Sequence, residues 1–378
     1  MKKILFTNAG LCRGREPEYK YLKKYADVSI MAYDIKEKQA EKRYTDINTF
    51  YPPIKPLYYI DPIYLIRRRF SVMSIATFYN IDKIISEQDI IVTQDPNFFT
   101  FGITKIANKL KKNIFMINFE NSTNISIFSL PPYRKIVKYI LENTQYFIPQ
   151  STLAAEFLTK RGVKSEKMKV IYPGIDINIF YPKGQKNNNE DLIQFLFVGT
   201  LTKNKGLDDL LFAYENIHKR YKNTKLVIVG KGPMENLLNS KIKKNLSISH
   251  YKDLDVHQLS ELYRNSDVFV LFSKPRIEFG ITIWLEQFSY SLLEAMSSGL
   301  PIITTNVGAI PEVVSNKNII VDYNNRHDLI KKMEYLIEHP GIREELGKYN
   351  RERTVNLFDA EKQAKNLMLY LSDHILLP

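Results

Sequence analysis

"FVGTLTKNKGLDDLL", residues 197–211, runs from an apolar strand through Gly199 into a loop with Lys203 and Lys205, and on past Gly206 into an amphipathic helix. Short apolar runs bounded by turn residues read as buried strands, and strands alternating with helices argue for a parallel sheet covered on both faces. The alternation continues downstream with "KLVIVGKG", helix "PMENLLNSKIKK", "LSISHY", helix "VHQLSELYRNS", "DVFVLFS", a helix, "PIITTN", helix "PEVVS", "NIIVDY" and helix "RHDLIKKMEYLIEH". Upstream, "KKILFTNAG", "DVSIMAY", "DIIVTQD", "NIFMINF", "QYFIPQS" and "MKVIYPG" read as strands, with helical patterns such as "FGITKIANKLKK" and "LAAEFLTKRG" between them. Polar "YPKGQKNNNED", residues 181–191, separates the two sets and is the best linker. The chain therefore reads as two doubly wound α/β domains. Ligands of such sheets bind outside the carboxyl ends of the strands.

The bulk numbers agree. A length of 378 residues fits two domains, and 44% hydrophobic with 25% charged residues is an ordinary globular composition. No apolar run approaches a membrane-spanning helix, and the first one is too short for a signal peptide. The single cysteine, Cys12, excludes an intramolecular disulfide and fits a reducing, cytoplasmic compartment. No histidine lies in residues 1–180 to activate it as a nucleophile. The net charge of +13 divides into +11 for residues 1–180 and +2 for the remainder. A basic half suits an anionic partner: nucleic acid, a phospholipid surface or a phosphorylated substrate. No zinc, helix-turn-helix or aromatic-basic RNA motif accompanies it, so nucleic acid is the weakest of the three.

"WLEQFSYSLLEA", residues 284–295, places Glu286 before a helix and Glu294 inside it. The helix is expected to start near Ser289 or Tyr290 and to stop at Gly299, with Pro301 beyond. The free N–H groups and dipole of the helix start favour an anion. In order, the stretch offers a carboxylate, an anion hole and a second carboxylate. A nucleotide-sugar has matching parts: sugar hydroxyls, a pyrophosphate and ribose hydroxyls. Lys205 in its strand-to-helix loop suits a phosphate, whereas Lys203 reads as solvated. Gly230 and Gly232 in "VIVGKGPMENLL" permit close backbone approach, but the third glycine of a dinucleotide fingerprint is missing. Glu278 in "SKPRIEFG" has the wrong spacing and reads as a decoy.

Gly199, Lys205 and Gly206, then "GKGP", "SDVFVLFS" and "EQFSYSLLEAMSSGLPIITTNVGAIPEVV", resemble glycosyltransferase family 4 in order and spacing. "TQDPNFFTFGITKIANKLKKNIFMIN" and "MKVIYPGIDINIFYP" resemble that family's N-domain and domain junction, so the likeness covers nearly the whole chain. The resemblance implies an α/β GT-B fold: two Rossmann-like doubly wound parallel-sheet domains facing a central cleft. Residues 1–180 would bind acceptor, 190–358 would bind the nucleotide-sugar, and helix 359–378 would cross back to the first domain. It implies a retaining hexosyltransferase in glycan biosynthesis, with a UDP- or GDP-sugar donor, no cofactor and no metal. Carried over, Glu286 contacts the transferred sugar, Glu294 the ribose hydroxyls and Lys205 the donor phosphates. Phe288, Ser289 and Tyr290 form the turn over sugar and phosphate, and Gly199, Thr200, Gly230 and Gly232 complete the donor side.

The sequence departs from the pattern in places. Thr200 stands where an arginine is usual, Ser289 where glycine is commoner, and Ala309 replaces a second glycine. The N-domain histidine is absent, and "MINFENST" offers Asn118, Glu120 or Asn121 instead. A glutamate there resembles a subset of archaeal members. Gly10, Arg13, Gly14 and Arg15 in "NAGLCRGREPEY" match the flexible loop near acceptor and donor phosphate, with the two arginines as anion contacts. "IYLIRRRFSVMSIATFY", residues 63–79, mixes Arg67, Arg68 and Arg69 with apolar residues, which suits peripheral attachment to an anionic membrane and a lipid-linked or glycan acceptor. Two other readings are a nucleotide-sugar epimerase on the same fold and a nucleic-acid-binding protein.

Overall fold

The computed structural model describes residues 1–8, 15–32, 47–50, 81–122, 129–131, 133–184, 192–244 and 247–374, and the backbone of 54–56 and 76–78. It divides into two compact units. One comprises residues 1–174, 277–283 and 360–378, and the other residues 175–276 and 284–359.

In the first unit the chain runs β1 (Lys3–Asn8), α1 (Glu16–Leu22), β2 (Asp27–Ala32), β3 (Asn48–Phe50), the short antiparallel pair β4 (Ile54–Pro56) and β5 (Ala76–Phe78), α2 (Ile81–Ser86), β6 (Ile90–Gln94), α3 (Phe98–Lys109), β7 (Asn113–Asn118), α4 (Tyr133–Asn143), β8 (Tyr146–Pro149) and α5 (Thr152–Thr159). The main sheet has the order β3-β2-β1-β6-β7-β8, and every pairing in it is parallel. The middles of its central strands are largely apolar, as a parallel sheet covered on both faces requires. Ile4, Leu5, Phe6, Ile91, Ile114, Phe115 and Met116 are fully buried. Asn97 starts α3 by accepting the Thr100 N–H, the capping a helix needs where its first donors lack partners.

"MKVIYPG" is not a strand. Residues 168–174 run extended beside β8, bonded through the N–H groups of Lys169 and Ile171, with one isolated bridge at Met168. Pro173 has no N–H to continue the ladder.

The second unit runs β9 (Ile193–Val198), α6 (Leu207–Arg220), β10 (Thr224–Val229), α7 (Glu235–Ile242), β11 (Ile248–Tyr251), α8 (Val256–Arg264), β12 (Val268–Leu271), α9 (Tyr290–Ser297), β15 (Ile302–Thr305), α10 (Ile310–Val314), β16 (Ile319–Val321), α11 (Arg326–Glu338) and α12 (Pro340–Leu357); between β12 and α9 lie β13 (Arg276–Glu278) and β14 (Ile281–Trp284), whose residues 277–283 belong to the first unit. The sheet order β11-β10-β9-β12-β15-β16 is again wholly parallel. In both sheets the strand order thus reverses between the first and fourth main strands, the switch point at which such folds take ligands.

One feature was not anticipated. β13 and β14 form a separate two-stranded hairpin ahead of Glu286, and Glu278 ends its first strand. The last helix, α13 (Ala360–Asp373), belongs to the first unit and packs on α1. Lys24 pairs with Glu361 at 2.5 Å, and the Tyr370 hydroxyl donates to the Lys167 carbonyl. Among the described residues no helix is long and apolar enough to cross a membrane.

Candidate donor site

Lys205 leaves the sheet at the switch point. After β9, residues Lys203–Lys205 form one 3-10 turn and Gly206 takes φ +69°. A Cβ at Gly206 would lie 1.9 Å from the Phe272 carbonyl oxygen, so only glycine fits. Lys203 is exposed, as expected, while the Lys205 side chain is only 18% exposed. The turn is strapped from the β12 side. Lys274 donates its N–H to the Asn204 carbonyl, and its ammonium pairs with Asp209 in the first turn of α6. Burial pushes the Asp209 carboxyl above its ordinary range, against the pull of that lysine.

Glu286 lies in the loop between β14 and α9 and is 4% exposed. Its Oε2 accepts from Lys205 Nζ at 2.6 Å and from Ser273 Oγ at 2.7 Å. A carboxylate so buried needs such partners. The Glu286 carbonyl accepts the Ala309 N–H at 3.0 Å. The Trp284 ring covers the same ammonium, with its centroid 5.0 Å from Lys205 Nζ.

Helix α9 begins at Tyr290 after Ser289, whose side chain makes no capping bond, and its last residue is Ser297. Gly299 follows in the left-handed conformation, as the sequence implied. Glu294, one turn in, is buried, and its Oε2 accepts from the Tyr263 hydroxyl at 2.8 Å. Tyr263 was not anticipated; on α8 it looks like any apolar-face residue. Phe288 is buried with its ring against Phe358, so its side chain anchors the turn. The glycines near β10 approach protein backbone closely. A Cβ at Gly230 would lie 2.0 Å from the Gly199 oxygen, and one at Gly232 2.5 Å from the Leu201 oxygen. Gly199 itself has room for one, and Thr200 is exposed.

In the first unit, Asn118 ends β7 and is fully buried, donating to the carbonyls of Glu120 and Ala154. Glu120 is buried, and its Oε1 accepts the Ser122 N–H at 2.8 Å; burial pushes its carboxyl upward. Asp95, which sequence reasoning missed, follows β6 at φ +44°. Its Oδ1 accepts the N–H groups of Phe119 at 2.7 Å and Glu120 at 3.1 Å. Burial raises the Asp95 carboxyl to about 7, opposed by the Phe119 N–H and aided by the Glu120 charge. Arg15, expected as an anion contact, is instead 3% exposed and paired with Glu18 at 3.2 Å. Glu18 also accepts the Gly174 N–H, so the pair fastens two stretches of the same unit. Gly10, Arg13, Gly14 and residues 63–75 lie outside the described residues.

Anabaena HepE in complex with UDP and glucose superposes with a TM-score of 0.74 over 98% of this chain and 100% of that one, at 14% identity. The fold is GT-B. Within this GT-B chain, residues 182–353 match the family described as "Glycosyl transferases group 1", a span that contains Lys205, Tyr263, Glu286 and Glu294. The chain is 30% identical over 241 residues to spore coat protein SA of Bacillus subtilis, across 57% of this chain and 60% of that protein. It spans about 60% of the length of that relative. It is also 25% identical over 367 residues to an uncharacterized glycosyltransferase of Methanocaldococcus jannaschii, across 90% of this chain and 88% of that protein.

Proposed function

We propose that the chain is a retaining glycosyltransferase of the family 4 type that moves a hexosyl group from a UDP- or GDP-sugar to a glycan or lipid-linked acceptor. The observation that carries this reading is the Lys205–Glu286 pair, set at the switch point of the second sheet one loop ahead of Glu294 and the α9 start. Lys205 and the helix N-terminus would neutralise the charge that builds on the leaving diphosphate, as preorganised donors do best when little must move. Glu286, with one oxygen held by Lys205 and Ser273, would present its carboxylate to sugar hydroxyls. Glu294, fixed by Tyr263, would take the ribose hydroxyls. In the first unit Glu120 would take the part of the absent histidine.

A UDP-bound neighbour and the glycosyltransferase relatives support the donor class. The test is calorimetry with UDP and GDP, then a donor-sugar assay with and without acceptor glycans, with product anomers read by NMR. Retained configuration with acceptor-dependent transfer is the expected result. Sugar inversion at a ring carbon with no acceptor would instead identify an epimerase. For the membrane partner, sedimentation with anionic liposomes at varied salt is the measurement. Binding that ignores lipid charge removes the anionic surface and the 63–79 segment from this reading.

A further inference from the structure

Trp284 is the chain's single tryptophan, and it is delivered by the unexpected hairpin. The strands β13 and β14 reverse at Phe279 and Gly280, and β14 then runs into the loop of Glu286. Two groups meet one ammonium, and a third fastens the turn that carries it. Glu286 Oε2 lies 2.6 Å from Lys205 Nζ, the indole centroid lies 5.0 Å away, and the straps of Lys274 fix the turn that carries the lysine. A lysine stem has four rotatable bonds and a strongly hydrated head, so its position must be imposed by neighbours. An electron-rich indole face does this without neutralising the charge, whereas a second carboxylate would oppose an incoming phosphate.

We infer that Trp284 is a positioning residue for Lys205, holding the ammonium where the phosphates of a nucleoside diphosphate meet it. The inference rests on the donor reading above. A bound diphosphate meets the same ammonium that the indole and Glu286 hold. The surroundings of the indole therefore change with occupancy of the phosphate subsite, and the chain's only tryptophan emission reports it.

The experiment titrates the intact chain with UDP, GDP, uridine and guanosine, following heat and tryptophan emission together. Heat is then measured for Trp284→Phe and Trp284→Ala. Emission is expected to change with the diphosphates and not with the nucleosides. Trp284→Ala is expected to weaken diphosphate binding about 2- to 30-fold while nucleoside binding holds, and Trp284→Phe, which keeps an aromatic face, to recover most of that loss. Heat of diphosphate binding with unchanged emission overturns the inference and leaves the donor reading standing. So does a Trp284→Ala chain that melts earlier but weakens diphosphate and nucleoside alike, since that tryptophan is merely structural. No heat with either diphosphate overturns the donor reading, and this inference with it.

Discussion

Gly308 sits directly beneath Glu286: a Cβ at Gly308 would lie 2.0 Å from the Glu286 carbonyl oxygen, and Gly308 itself is at φ +58°. The loop after β15 thus sets the height of the Glu286 backbone. Gly308→Ala must both adopt a left-handed backbone, at about 1–2 kcal/mol, and push that carbonyl away. A melting temperature lowered by several degrees is expected, together with loss of turnover in the surviving folded chain. An alanine variant that melts and works like the parent would show that the loop yields freely.

Lys205→Ala should reduce turnover more than stability. On the proposed reading the lysine would act on charge that grows on the leaving phosphate, so its effect would be larger in the transition state than in the ground state. Part of the cost also falls on the fold, because Glu286 keeps only Ser273 of these two partners. Steady-state kinetics and a melting curve on the same preparation separate the two. A sharply unstable chain whose folded fraction is fully active makes Lys205 structural.

Glu294→Ala should weaken nucleoside diphosphate binding by about 1.5–3 kcal/mol, the range for a charged hydrogen bond. Tyr263→Phe should do part of the same damage, since it removes the hydroxyl that donates to Glu294 Oε2 while leaving the carboxylate in place. Calorimetry with UDP and GDP reads both. Parental affinity in the Glu294 variant would end the ribose assignment.

Asp95 predicts a pH dependence with a definite sign. Its carboxyl titrates at about 7 in the folded chain against 3.8 as the ordinary value, so the folded state holds a proton that the unfolded state has released. Stability from this group is therefore present below about pH 4 and is lost as pH rises toward 7. The facing groups act in both directions: the Phe119 and Glu120 N–H groups and Arg15 lower the value, and the Glu120 charge raises it. Glu120, also shifted upward, has the same sign. Urea unfolding at pH 5 and pH 8 should show the higher stability at pH 5, and Asp95→Asn should shrink the difference. An unchanged difference in that variant would assign the effect elsewhere.

The end of α9 was legible because its stop is local chemistry: Gly299 takes the left-handed position and Pro301 follows, while Ser289 marks the start without making a capping bond. The parallel sheets were legible because strands buried on both faces must be continuously apolar. The hairpin β13–β14 was not. A two-residue reversal is signalled by Asn or Asp before Gly, whereas here Phe279 holds the first left-handed position at φ +52°. The Lys205–Glu286 pair joins residues 81 apart, and nothing in either motif names the other. Ser273, Tyr263 and Asp95 were missed for the same reason. Each acts through a bond to a residue distant in the chain, which composition and periodicity do not record.

The membership of α13 in the first unit has a consequence for biosynthesis. The β-sheet of that unit is complete by Pro149, yet Tyr370 on α13 lies edge-on to Phe115 and Tyr146. At about 5–20 residues per second, the ribosome needs roughly 10–40 s between the two. During that interval a nascent chain carries an uncovered aromatic face while the intervening unit folds. Translation stalled anywhere in the second unit would release a first unit with its seam open, a natural client for a chaperone or a protease.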